Sequence, residues 1–315
     1  MQSASPFNVD KDSEPSILEG VIQFGDITMQ RISAAVILVA ATLVSISGAS
    51  AAPTACPNHY VDGEAPDIVN QKLAPKSREV CFEAFGILHS GITRTPLFAA
   101  EYLTAARLSD ARGDERNDTF HEEQRLPEDE RSELSDYKRS GWDRGHLAPS
   151  ADMPDPETQH ESFSMANMIP QAPNNNRGVW ANIERAVREL TFNMGEVYVV
   201  SGPAFIGNRL ETLKRRVVIP THVWKAVYVP SRNMASAYLT VNASGSEWQE
   251  ISIQGLTDMT GIDPFPSLTA AVKQELVDLP DPIAYNRQKV SASEPNESSQ
   301  AAKVIGDALF NMIRR

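Results

Sequence analysis

Positive charge is in short supply in this sequence: 29 lysines and arginines stand against 41 aspartates and glutamates, a formal net charge of −12. A protein that coats itself with phosphate polymers usually carries a basic footprint, so the balance weighs against that class, although a local basic cleft survives in an acidic sum. Cysteine is scarcer still, with only Cys56 and Cys81. Two cysteines far from any histidine pair make a poor zinc site. The apolar run Ala34 to Ile46 falls short of the roughly 20 residues that span a bilayer. No internal repeat is visible, and the six histidines are scattered. What remains is 41% hydrophobic and 22% charged over 315 residues, the composition of a soluble globular protein with a sizeable core, in one large domain or two small ones.

Residues 29–52, MQRISAAVILVAATLVSISGASAA, read as an export signal. Arg31 supplies the positive start, the apolar run follows, and Ala49-Ser50-Ala51 has the small-x-small form of a cleavage site. An uncleaved anchor is the competing reading, and the length of the run weighs against it. Residues 1–28 carry Asp10, Asp12, Glu14, Glu19 and Asp26, unlike the opening of a signal peptide, so translation is expected to start at Met29. A periplasmic or secreted protein with no stable membrane span after cleavage is the expectation. In an oxidising compartment a Cys56–Cys81 disulfide is favoured over two separate thiols. At the other end, SASEPNESSQ is a polar linker, and Val304, Ile305, Ala308, Leu309, Met312 and Ile313 form one side of a short amphipathic helix. That helix either packs back on the domain or serves a docking partner or a homodimer. The expected division is 1–52 extension plus signal, 53–282 the folded domain, and 283–315 linker and helix.

Within the domain, VCFEAFGILHSG reads as a buried strand, while PLFAAEYLTAARL has strand-like and helix-like features at once. Residues 109–139 form a charged surface excursion with a helical piece at PEDERSELSDYKR. Phe163, Met165, Asn167 and Ile169 alternate as a strand would, with Pro170 ending it. NNNRGVWANIERAVRELTF is the clearest helix, its apolar face set by Trp180, Ile183, Val187 and Leu190. EVYVVSGPAF, RRVVIPTHVWKAVYV and ASAYLTVNA then predict an antiparallel meander. The fold class is α+β, a mixed, mainly antiparallel sheet flanked by helices.

The chemistry centres on Asp143-Arg144-Gly145-His146. A neutral imidazole can take a proton from water near pH 7, although a lone histidine in a turn is more often a hydrogen-bonded surface group. Downstream, Asn174, Asn175 and Asn176 crowd a helix start, more than capping needs. Glu184 follows Asn176 by eight positions, which at about 100° per residue leaves an offset of about 80°, on neighbouring sides of one helix. An amide oxygen and a more distant carboxylate make a poor zinc cage and suit a hard cation that keeps most of its water, as magnesium does.

DRGH, then NMIPQ with Asn167, then Asn-x-x-x-Trp-x-x-x-Glu from Asn176 through Trp180 to Glu184, resembles the DNA/RNA non-specific endonuclease family, the ββα-metal or His-Me finger nucleases that include endonuclease G. The likeness is dense over 142–190 and looser over about 80–260, where VYVVSGP and IPTHVWKAV also resemble the family. It implies a ββα-metal active-site motif and an Mg²⁺-dependent hydrolase, with Mn²⁺ as an alternative cation, acting on DNA and RNA and leaving 5′-phosphate ends. It implies His146 as general base and Asn176 as the one direct protein ligand of the cation. Glu184 would hold the cation's water, Asn167 would orient groups near the histidine, and Arg144 would lie near the phosphate or support the site. An upstream arginine is also expected; Arg116 fits by position, with Arg107 and Arg112 competing. Arg177, Arg185, Arg188, Lys214, Arg215, Arg216 and Lys225 are candidates for lining a cleft. The alternative is a nuclease-like nucleic-acid-binding or envelope interaction module without catalysis, against which the complete set His146, Asn167, Asn176 and Glu184 argues.

Overall fold

The computed structural model describes residues 54–111 and 116–282. The export signal, Arg112 and the C-terminal amphipathic helix lie outside those residues. In chain order the strands are β1 (Asp67–Ile68), β2 (Ser77–Cys81), β3 (Gly86–Ser90), β4 (Thr95–Thr104), β5 (Asp143–His146), β6 (Met168–Gln171), β7 (Glu196–Ala204), β8 (Thr212–Leu213), β9 (Val217–Val218), β10 (His222–Val229), β11 (Met234–Val241), β12 (Trp248–Ile251) and β13 (Ile262–Asp263). The helices are α1 (Ala105–Asp110), α2 (Leu134–Tyr137), α3 (Pro156–Ser162), α4 (Ala181–Met194), α5 (Ile253–Thr260) and α6 (Ala270–Gln274).

Seven strands form the main sheet in the order β12-β11-β10-β7-β4-β3-β2. Among the described residues every strand pairing is antiparallel; the one parallel contact is an isolated bridge between His121 and Ser164. The sheet is therefore antiparallel throughout rather than mixed; β7-β10-β11 is the meander expected from the sequence, and β12 extends it by one strand. Its two faces are covered separately. On one, Ala99, Leu103, Val197, Val199, Val223 and Val227 pack with Trp180, Ile183, Val187 and Leu190 of the α4 region. On the other, Leu97, Ala100, Trp224, Ala226 and Ala237 pack with Ile253, Leu256 and Val272 of α5 and α6. Burying each large side chain is worth about 1.5–3 kcal/mol, so the four-residue stripe alone fixes α4 against the sheet.

β4 shows why PLFAAEYLTAARL reads two ways. It lies between β3 and β7, buried on both faces, so its apolar run is continuous rather than alternating. At Thr104 the hydroxyl accepts from Arg107 N (3.1 Å) and caps α1. The strand and the helix are both present, in tandem. The Cys56–Cys81 disulfide is formed, closing a loop of sequence separation 25 against the β2 edge. A loop of that size constrains the unfolded chain by about 3–4 kcal/mol in the chain-entropy picture.

Three local expectations are corrected. The helical piece in the charged excursion is a single turn, Leu134–Tyr137. The alternating stretch is not a strand: Phe163 caps α3, Met165–Asn167 is a 3₁₀ turn, and β6 begins only at Met168. Pro170 does not end β6 but pairs with Arg144 inside a two-stranded ribbon, where its missing N–H breaks no wider ladder.

Candidate active site

β5 and β6 form a hairpin-like ribbon in the register Asp143↔Gln171, Arg144↔Pro170, Gly145↔Ile169 and His146↔Met168. A π-helical turn, Asn175–Trp180, then leads into α4. This is a ββα arrangement. Its glycine is required by close approach: a Cβ at Gly145 would lie 1.9 Å from Gln171 Oε1. Gln171 Nε2 donates to Asn175 Oδ1 (2.7 Å), and Asn175 Nδ2 donates to Thr240 Oγ1 (3.1 Å) and Val241 O (3.0 Å). The ribbon, the helix entry and the sheet are thus tied through one buried amide pair.

His146 is 8% exposed, and its Nε2 has no hydrogen-bond partner. The imidazole sits between two phenylalanines, with centroids 4.9 Å from Phe163 and 5.7 Å from Phe120. Each ring carries an arginine: Arg116 Cζ stands 5.2 Å from the Phe163 centroid and Arg144 Cζ 3.9 Å from that of Phe120. Burial pushes the imidazole pKa down to about 3, and the Arg116 and Arg144 charges push the same way against Asp118. His146 is therefore a neutral, unpartnered proton acceptor flanked by two cations.

Asn176 is half-buried, and its Nδ2 donates to Asp143 Oδ2 (3.0 Å). A carboxylate can only accept, so this contact engages the amide nitrogen and leaves Oδ1 as the atom able to face a cation. Asp143 is held in turn by Arg177, whose Nε and Nη2 donate at 2.8 and 2.6 Å. Glu184 lies on the first turn of α4, with its pKa pushed up to about 7 by burial, against the pull of Lys225 and Arg188. The Arg116 charge lowers the pKa of both His146 and Glu184, as a minor cause beside burial. One amide oxygen and one carboxylate are donor types that suit a hydrated hard dication. Among the described residues, the one cluster of three metal-ligating types is Cys56, Glu79 and Cys81, and there the two sulfurs are spent on each other.

Beneath the ribbon lies a layer of buried charge that no sequence motif marks. Lys225, 1% exposed on β10, donates from Nζ to Ser201 Oγ (2.6 Å) and to the carbonyl of Leu147 (3.4 Å), next to His146, and stands 5.3 Å from the Trp180 ring centroid. Glu101 on β4 is equally buried, which raises its pKa, and Arg107 lies 3.6 Å from it. Arg188 donates to Asp152 at 2.8 Å. The available signal was a charged residue inside an apolar β-run, in HVWKAVYV and PLFAAEYL.

The structure sorts the remaining candidates. Asn167 is fully buried; its Oδ1 accepts from Ala148 N and its Nδ2 donates to Ala148 O and Ser162 O, so it clamps the chain just past His146. Asn174 reaches Ser244 and caps nothing. The π turn, with Gly178 at φ −111° and ψ −105°, means the regular 100° step does not run from Asn176 to Glu184. Arg107 is committed to Asp152 O, Ala84 O and Tyr102 O, whereas Arg116 pairs with the exposed Asp118 (2.6 Å), reaches Ser150 Oγ (3.3 Å) and leans over the histidine's aromatic wall. Lys225 lines no cleft, and Arg177, Arg188 and Arg216 each hold a carboxylate.

Comparison with known proteins identifies relatives of the chain. The profile of the family described as DNA/RNA non-specific endonuclease matches residues 66–271. A nuclease of Nostoc sp. is 32% identical over 222 residues, 65% of this chain and 79% of that protein. The mitochondrial nuclease EXOG of Danio rerio is 32% identical over 207 residues, 59% of each chain. The mitochondrial nuclease of Saccharomyces cerevisiae is 31% identical over 177 residues, 51% of this chain and 54% of that one. A solved complex of EndoG with its inhibitor EndoGI shares the fold, with a TM-score of 0.54 at 23% identity, covering 58% of this chain and 84% of that chain.

Proposed function

We propose a reaction from one established premise: this chain belongs to the DNA/RNA non-specific endonuclease family. It is a metal-dependent endonuclease that hydrolyses phosphodiester bonds of nucleic acid. His146 is the general base, the cation is Mg²⁺, with Mn²⁺ able to replace it, and the products carry 5′-phosphates. The observation that carries this reading is the buried imidazole without a partner, set between two arginine-bearing phenylalanines.

His146 takes the proton of a water whose oxygen forms the new bond to phosphorus, while the bond to the 3′ oxygen breaks. Arg144 and Arg116 pair with the non-bridging oxygens, and the bound phosphate offsets the part of the imidazole's lowered basicity that the two cations add to burial. Asn176 would hold the cation directly and Glu184 through water; when bound, it supplies Lewis-acid charge at the non-bridging and leaving oxygens. Contacts to backbone phosphates carry no base information, which accounts for action on both DNA and RNA. We place the protein in the periplasm or outside the cell, from the 29–52 segment and the disulfide. Among the described residues no helix is long and apolar enough to cross a membrane.

Plasmid and RNA are incubated with the protein with and without divalent cation. His146→Asn is expected to lower the rate by about 10² to 10⁴ while leaving the thermal midpoint in place. Retained activity removes His146 as base; no cleavage by the parent chain under any divalent cation removes the enzyme reading.

A further inference from the structure

A pocket of roughly 440 Å³ opens beside the Asp143–His146 strand, within the range of small-ligand sites. Tyr137, Lys138, Arg139, Trp142 and Arg144 line it. We propose that this pocket is a subsite for one unpaired nucleotide of the substrate, its base stacked on Trp142 and its phosphate held by Lys138 and Arg139. The proposal deepens the nuclease reading and rests on it.

Charge is the first argument. Lys138 and Arg139 are exposed and make no ion pair among the described residues, whereas Arg177, Arg188 and Arg216 all hold carboxylates. The acid in the lining, Asp143, is already neutralised by Arg177. Other exposed cations, such as Arg185 and Arg232, also make no ion pair; what distinguishes Lys138 and Arg139 is that they line one pocket, where adjacent positive charges offer a place for an anion.

The second argument is shape. The turn before the strand holds Arg139 at φ +57° and Gly141 at φ +82°. A left-handed arginine costs about 1 kcal/mol or more, and such cost gathers where a side chain must be displayed. Ser140 Oγ accepts from Trp142 N (3.1 Å) and fixes the tryptophan's backbone. The indole packs in part against the small apolar cluster that contains Tyr137, Met165 and Met168 and is half-buried, so it presents a supported aromatic surface.

The third argument is an orphan. Tyr137 is 6% exposed, and its hydroxyl has no partner. Leaving it so costs about 1–3 kcal/mol, which an acceptor on a bound nucleotide would relieve.

Arg144 joins the pocket to the reaction centre, because it lines the one and stands on Phe120 beside His146 in the other. A strand whose phosphate lies at His146 therefore runs its neighbouring nucleotide into the pocket. A base inside a duplex reaches the indole only by leaving the stack, at a cost of a few kcal/mol.

The test compares the parent with Trp142→Ala and with Lys138→Ala/Arg139→Ala on three substrates: a single-stranded oligonucleotide, its duplex, and thymidine 5′-(4-nitrophenyl) phosphate, too short to reach past the centre. Trp142→Ala is expected to lower kcat/KM on the single strand by about 5- to 150-fold, the worth of one base–aromatic stack, mostly through KM. The duplex and the small ester should change little. No selective loss on the single strand overturns the proposal. If the parent cleaves nothing, the nuclease reading fails and binding decides the subsite. His146→Asn in chelator should then show saturable quenching of tryptophan fluorescence by the oligonucleotide, lost with Trp142→Ala and weakened by the exposed double substitution, which leaves the core untouched. Absence of that quenching overturns the subsite by itself.

Discussion

At the scale of single residues, His146 and Glu184 divide the pH dependence between them. His146, held down to about 3, is unprotonated throughout the physiological range, so its own titration leaves the neutral region flat. Glu184, raised to about 7, ionises there. Since only the ionised carboxylate attracts the hydrated cation, kcat/KM at low Mg²⁺ should rise with pH through about 7. Cation binding and proton release are linked, so once the cation exceeds its dissociation constant for the ionised site the limb should move down by about one pH unit for each further tenfold rise. Glu184→Gln should abolish the movement; a limb that stays fixed as Mg²⁺ is varied refutes the assignment. Lys225 sets the same carboxylate from below, as the strongest of the charges that lower it. Lys225→Met strips that positive charge from the buried layer while leaving Asp152 and Glu184 in place. The loss should be about 3–5 kcal/mol in stability, and the acid limb should move to higher pH, a shift that simple loosening of the core would not give.

Among elements, the β5–β6 ribbon carries the site, and its closest tolerance is Gly145. Gly145→Ala places a methyl 1.9 Å from Gln171 Oε1 and 2.7 Å from Gln171 Cβ. Gln171 cannot yield without releasing Asn175, so a loss of about 1–3 kcal/mol and most of the activity is expected. Adding Gln171→Ala should restore part of the stability, the two changes being less than additive in thermal unfolding. Normal stability in Gly145→Ala would show that the ribbon gives way more easily than the packing allows. The motif was legible in the sequence because the glycine sits between residues the chemistry needs. The apolar stripe of α4 and the meander were legible because their periods run long enough to be counted. Asn167 misled: four alternating positions also occur along a helix cap and a 3₁₀ turn, and only the bonds of its buried amide to Ala148 and Ser162 separate the cases. The three consecutive asparagines proved to be three unrelated contacts, with Ser244, with Thr240 and with Asp143, because a π turn aims them in different directions. Glu101 and Lys225 could have been flagged as charges within buried strands, but their meeting depends on strand order, which no local pattern contains.

For the whole molecule, the deciding tension is between an acidic chain, −12 in full and −9 without residues 1–52, and a polyanionic substrate. The two act at different distances. Repulsion from the acidic surface extends over a Debye length, about 30 Å at 0.01 M salt and about 10 Å at 0.1 M. Attraction is local, supplied by Arg116 and Arg144 at the centre and by Lys138 and Arg139 beside it. Salt in the low range therefore screens repulsion first and should raise kcat/KM. Above about 0.1 M the contact term takes over, since each phosphate neutralised on a single strand contributes a slope of about −0.7 in log affinity against log salt. Four contacts give a slope near −3, and Lys138→Ala/Arg139→Ala should reduce it to about half while leaving the low-salt rise in place. Initial rates on a single-stranded oligonucleotide from 10 to 500 mM salt test both limbs. A rate that only falls from the lowest salt upward would mean that the acidic surface is not felt by the substrate. A high-salt slope unchanged in the double variant would remove those two side chains from the binding track.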